Sequence, residues 1–122
     1  MALAPVIIGC GGCSSVTEGQ DVIVVRSEQA SRYAFEIFDT FVLEEERNRT
    51  NWRNVSPEIE KAANRIRREG RTGIEELVKV TRVYKTNRTP ENRANLITWV
   101  AVVQNLIRIA EENLALGRAA SQ

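Results

Sequence analysis

The most regular alternation of apolar and polar positions along the chain lies in residues 89–117, TPENRANLITWVAVVQNLIRIAEENLALG. Leu96, Ile97, Val100, Ala101, Val103, Gln104, Ile107, Ala110 and Leu114 recur there at spacings of three and four, the signature of one broad helical face. Leu106, Ile109 and Trp99 widen that face, so the helix is expected to touch neighbours on two sides. Both ends are marked. Thr89 is placed to accept a first-turn amide, Pro90 has no N–H to leave unpaired, and Glu91 suits the positive end of the helix dipole. Gly117 reads as the stop. A lone helix of this kind is marginal in water, so other segments must cover it.

From Ser27 onward, Ala30, Tyr33, Ala34, Ile37, Phe38, Phe41 and Val42 form another helical face with a bulky aromatic layer. It runs into a charged end at residues 44–49, and a turn is expected near 51–55. The β-branched run at 21–25 has no second strand of comparable quality to pair with, so it reads as a first helical turn or an extended lead-in. Ser56-Pro57-Glu58 repeats the start signal of Thr89-Pro90-Glu91 and predicts a helix over 57–69, with Ile59, Ala62, Ala63 and Ile66 inward and Gly70 as its end. Thr72 then caps a helix to about residue 87, with Ile74, Leu77, Val78, Val80, Thr81 and Tyr84 inward. Gly73 weakens its first turn by up to about 1 kcal/mol. Short connections favour antiparallel neighbours. The expected fold is all-α: a four-helix antiparallel bundle with two long outer helices around a shorter middle pair, and a flexible N-terminal arm. The parts are a segment at 1–20, a bundle domain at 21–117 and a tail at 118–122.

A length of 122 residues fits one domain. With 17 basic and 16 acidic residues the formal charge is +1, and this balance argues against a dedicated nucleic-acid or anionic-membrane surface. Histidine is absent, which removes the usual general base near neutral pH and the commonest transition-metal ligand. No serine has a histidine to activate it, and no phosphate loop or glycine-rich dinucleotide turn is present. Glu44, Glu45 and Glu46 lack the Glu-x-x-His partners of a di-iron bundle and read as an exposed acidic helix end. The chain is therefore expected to be no enzyme, with no catalytic residue, metal, cofactor or small-molecule substrate.

Arg65, Arg67, Arg68 and Arg71 are the sharpest charge feature. Glu58, Glu60, Glu69, Glu75 and Glu76 lie close enough to neutralise them through helical pairs, and no aromatic platform interleaves, so they read as solvated surface. Asn48, Asn54 and Asn87 begin formal glycosylation sequons, each at an expected turn where Asn and Thr serve turns and caps. Trp99 belongs to the core face or its edge. Trp52 is either a lid over the bundle end or a contact for a partner.

The opening MALAPVIIGCGGCSSVTEGQ differs in kind: an apolar run at 2–8, then small residues, then a polar stretch. Cys10 and Cys13 are too close together to staple the body of the fold. Their CxxC spacing also occurs in redox and zinc motifs. A redox motif needs a preceding strand and a helix starting at the second cysteine, whereas 14–19 reads as loop, and zinc needs two further Cys or His ligands that the chain lacks. Ile7-Ile8-Gly9-Cys10 resembles the lipobox of bacterial lipoprotein signals. The resemblance implies that Cys10 is diacylated on its sulfur and heads the mature chain, with the following Gly, Ser and Thr residues as a leash. No Lys or Arg precedes the apolar run, which is at the short limit of the roughly 7–15 residues of an export signal. It also falls well short of the roughly 20 residues that span a bilayer.

The functional expectation is a small non-catalytic helical protein of bacterial or phage type, an interaction or structural component tethered through Cys10 to a membrane, on the periplasmic or outer-membrane face. The alternative is a virion or other assembly subunit, in which residues 1–20 are an uncleaved arm and Val6, Ile7 and Ile8 pack on neighbouring chains. The partners are then a membrane surface or other proteins, further copies included, and not nucleic acid.

Overall fold

Three side chains start the three long helices, each accepting an amide that the first turn leaves unpaired. Asp21 Oδ1 accepts from Ile23 N at 3.1 Å, Ser56 Oγ from Glu58 N at 3.3 Å and Thr89 Oγ1 from Asn92 N at 3.1 Å. The computed structural model describes residues 21–121, which form four α-helices with no strand among them. These are α1 (Val22–Arg47), α2 (Arg49–Val55), α3 (Pro57–Thr86) and α4 (Pro90–Ala120). The fold is thus an all-α bundle, and the run at 21–25 is the first turn of α1 with its cap. The N-terminal arm, with Val6, Ile7, Ile8, Cys10 and Cys13, lies outside the described residues.

The helices are partitioned differently from the sequence expectation. Gly70 does not end a helix: α3 runs unbroken for 30 residues through Gly70 and Gly73. Gly117 likewise lies inside α4, which continues to Ala120, so residues 118–120 belong to the helix and not to a tail. None of these three glycines takes the left-handed backbone that a glycine stop uses. All three are buried against other side chains instead. The expected turn at 51–55 is itself the seven-residue helix α2.

With the middle pair fused, the long helices run up, down and up. Ser27 meets Thr81 and Glu45 meets Arg67, so α1 and α3 are antiparallel. Gly73 faces Leu106 and Val103, across an α3–α4 pair joined by a short link. Tyr33 bonds Glu111 and Glu44 pairs with Arg118, so α1 and α4 run in the same direction. Helix α2 packs where α1 and α4 end.

Ala34, Phe41, Ile59, Ala63, Leu77, Leu96, Val103, Leu106 and Ala110 form the fully buried centre. Tyr33, Val78, Ile97, Ala101 and Gln104, assigned inward by spacing, are exposed. Three long helices cover a narrower arc of each neighbour than four do, and the rims of the apolar stripes stay in solvent. Two buried hydroxyls cross the core between α1 and α3. Thr81 Oγ1 donates to Leu77 O at 2.6 Å, which leaves it free to accept from Ser27 Oγ. No buried side-chain N or O lacks a partner among the described residues.

Candidate functional site

The two ends of the bundle are built differently. At the α2 end, Trp52 is 1% exposed and its Nε1 donates to Ser121 Oγ at 2.9 Å. Ser121 Oγ in turn donates to Gly117 O at 3.1 Å, so the indole is tied to the last turn of α4. Of the two roles open to Trp52, the geometry selects the lid and corrects the partner contact. A ring this buried offers no surface to another molecule.

Beside it, Glu45 is 1% exposed, which corrects the expectation of an exposed acidic helix end. Arg49 clamps its carboxylate with Nε at 3.1 Å and Nη2 at 3.0 Å, and Arg67 Nη2 approaches from α3. Burial pushes the Glu45 carboxyl up, but the hydrogen bonds and charges of Arg49 and Arg67 outweigh it and hold the group below the usual carboxylate value. Glu44 is lowered chiefly by its hydrogen bond from Arg118. These carboxylates are held as anions by arginine partners within the bundle. Among the described residues, no group of three or more Cys, His, Asp or Glu gathers in a way that would hold a metal.

The expected arginine cluster disperses. Arg65 pairs with Glu69 and Arg71 with Glu75 along α3, whereas Arg67 crosses to Glu45 and Glu46. Only the helical pairs were legible from spacing.

At the opposite end, Asp21 joins residue 20 to the bundle. Besides capping α1, its Oδ2 accepts from Tyr84 Oη at 2.7 Å and from Arg88 Nη1 at 3.1 Å. Burial raises its pKa, but the Tyr84 and Ile23 hydrogen bonds together with the Arg93 and Arg88 charges hold it below the ordinary value. Arg88 also stacks over the Tyr84 ring, 5.1 Å from its centroid.

This end gathers a charge that the sequence totals conceal. Residues 77–90 contain Lys79, Arg82, Lys85 and Arg88 and no carboxylate. The neighbouring turns of α1 and α4 add Arg26, Arg32 and Arg93 against Asp21, Glu28 and Glu91, giving seven cations and three carboxylates at one end of a chain whose net charge is +1. Lys85 pairs with Glu28 and Arg88 with Asp21, whereas Arg32 and Arg82 have no carboxylate partner among the described residues. An open groove of about 530 Å³ lies between α1 and α3 here, lined by Glu28, Ser31, Arg32, Val78, Arg82 and Lys85 with Thr81 at its floor. Phe35, 71% exposed, stands one turn beyond Ser31 and Arg32 on the same side of α1. Sequence reasoning passed over this cluster. Its signal is the spacing of three in 79, 82, 85 and 88, without an intervening acid.

No described helix is long and apolar enough to cross a membrane. Compared with known protein families, curated proteins and solved structures, the chain matches none.

Proposed function

We propose that this protein is a non-catalytic, membrane-tethered helical bundle of bacterial or phage origin that serves as an interaction or structural component, with Cys10 as the acylated residue and 11–20 as its leash. The observation that carries the reading is the Asp21 junction. One carboxylate there caps α1 and binds Tyr84 and Arg88, so α1, the end of α3 and the α3–α4 link meet where the preceding segment attaches. A pull on the segment is thereby shared across the bundle and does not peel α1 from its end. Supporting it further, the described carboxylates with lowered pKa are all engaged by structural partners, as a scaffold requires.

The test is mass spectrometry of natively expressed protein from membrane and soluble fractions. The expected result is a chain beginning at an acylated Cys10 in the membrane fraction, and its loss on Cys10→Ser. An intact, acyl-free N-terminus rejects the tether. If that chain also forms an ordered oligomer with Val6, Ile7 and Ile8 buried between copies, the inter-subunit arm takes its place.

A further inference from the structure

A tether fixes how far the bundle strays from a bilayer but not which side it turns toward it. Two features distinguish one face. The first is charge: Arg32 and Arg82 flank the α1–α3 groove with no carboxylate partner among the described residues, the groove's own carboxylate, Glu28, is paired with Lys85, and Lys79 lies one turn before Arg82 on α3. The second is exposed apolar surface interleaved with that charge. Phe35 is 71% and Val78 41% exposed, and both sit beside these cations.

Cations with long apolar stems around an exposed aromatic and an aliphatic side chain match the boundary between lipid headgroups and acyl chains. The ring and the isopropyl group enter that boundary while the guanidinium groups stay among the phosphates. We propose that this face, centred on Arg32, Phe35, Val78 and Arg82, rests on an anionic lipid bilayer. The inference rests on the tether reading, which makes the bilayer the surface within reach. Arg32 lies roughly 16 Å along α1 from Asp21, and a ten-residue leash spans up to about 35 Å. Nucleic acid fits less well, because one phenylalanine gives no series of stacking platforms and Val78 would have no role.

The experiment uses the full-length chain carrying Cys10→Ser, so that no acyl anchor contributes. Sedimentation with vesicles of mixed phosphatidylglycerol and phosphatidylcholine is compared with phosphatidylcholine alone. Binding is expected only to the anionic vesicles, weakening as salt shortens the Debye length. Arg32→Ala with Arg82→Ala is expected to weaken it about 25-fold, at about 5-fold per cation. Phe35→Ser weakens it further, and circular dichroism stays unchanged because all three side chains are exposed. Equal binding to both vesicle types, or no effect of the arginine pair, overturns the proposal. So does binding to polyglutamate without binding to vesicles, which assigns the face to an acidic protein partner. The two readings fail separately: an acylated native Cys10 with no effect of the arginine pair retains the tether and removes the face. An acyl-free native chain whose vesicle binding is lost with the arginines does the reverse.

Discussion

The α-carbon of Gly117 lies against the face of the Trp52 indole, so closely that a Cβ there would stand 2.5 Å from Cδ2 and Cε2 and 2.6 Å from Cε3. A glycine in the last turn of α4 weakens the helix by up to about 1 kcal/mol relative to alanine, and close packing of the lid offsets that loss. Gly117→Ala is therefore expected to destabilise: the propensity gain of about 1 kcal/mol is outweighed by overpacking of about 1–3 kcal/mol. Gly73→Ala is the control, because its Cβ would meet Leu106 Cδ1 at 3.4 Å and Val103 Cγ2 at 3.6 Å, ordinary contact distances. That variant is expected to gain about 0.5–1 kcal/mol. Urea denaturation followed by tryptophan emission reads both. A stabilised Gly117→Ala would mean that the indole moves aside at no cost.

Glu45 links three helices while almost wholly buried. Glu45→Ala is expected to cost about 2 kcal/mol, below the roughly 3–5 kcal/mol for breaking a fully buried pair, because Arg49 remains partly in solvent. Since its folded pKa lies below the ordinary value of 4.5, its contribution is complete above that value and is lost as pH falls through the lower folded value. Glu44 and Asp21 act in the same sense. The urea midpoint should thus hold level from about pH 5 to 8, where the usual titrating residue, histidine, is missing, and drop below about pH 4. In Glu45→Gln the acid drop should be shallower. An unchanged acid limb would show that Glu45 is not among the groups responsible.

Tyr33 governs the other limb. Its hydroxyl donates to Glu111, and that hydrogen bond, with burial and the carboxylate charge, pushes its pKa from 10.0 up to about 12. A folded value above the unfolded one gives stability that is whole below pH 10 and lost as pH rises toward 12. Tyr33→Phe should remove that component of the alkaline loss. Absorbance titration of the tyrosinate band should show a late-titrating component in the parent that is lost in the variant.

At the leash junction, Asp21→Ala removes a helix cap, the Tyr84 acceptor and the Arg88 partner together. A loss of about 1–2 kcal/mol is expected, centred on the cap. Amide exchange should quicken in the first turns of α1 and at the end of α3, with the Trp52 end unaffected. Uniform quickening throughout would mean that the junction is not a local lock.

The starts of α3 and α4 were legible because their chemistry is local: Ser56, Pro57, Thr89 and Pro90 act within one turn of themselves, whereas the start expected at Thr72 falls inside α3 and the Asp21 cap of α1 was passed over. The stops were not, because a glycine is punctuation only when nothing needs its missing side chain. Gly70 yields its Cβ space to Phe38, whose Cδ2 would stand 2.8 Å away, and Gly117 yields it to Trp52. Both neighbours are remote in sequence. The Glu45 cluster was hidden for the same reason, since Arg49 is four residues away but Arg67 comes from another helix.

By itself the sequence determined an all-helical body, the caps that begin α3 and α4 and most of the inward residues, because periodicity and capping need only neighbours within a few positions. The tertiary structure alone decided that α3 is continuous, that α1 and α4 run in parallel, that Trp52 is sealed inside, and that Arg32 and Arg82, from different helices, flank one groove. Each of these depends on which distant turns share a level of the bundle, and that level is set by side chains packing across helices.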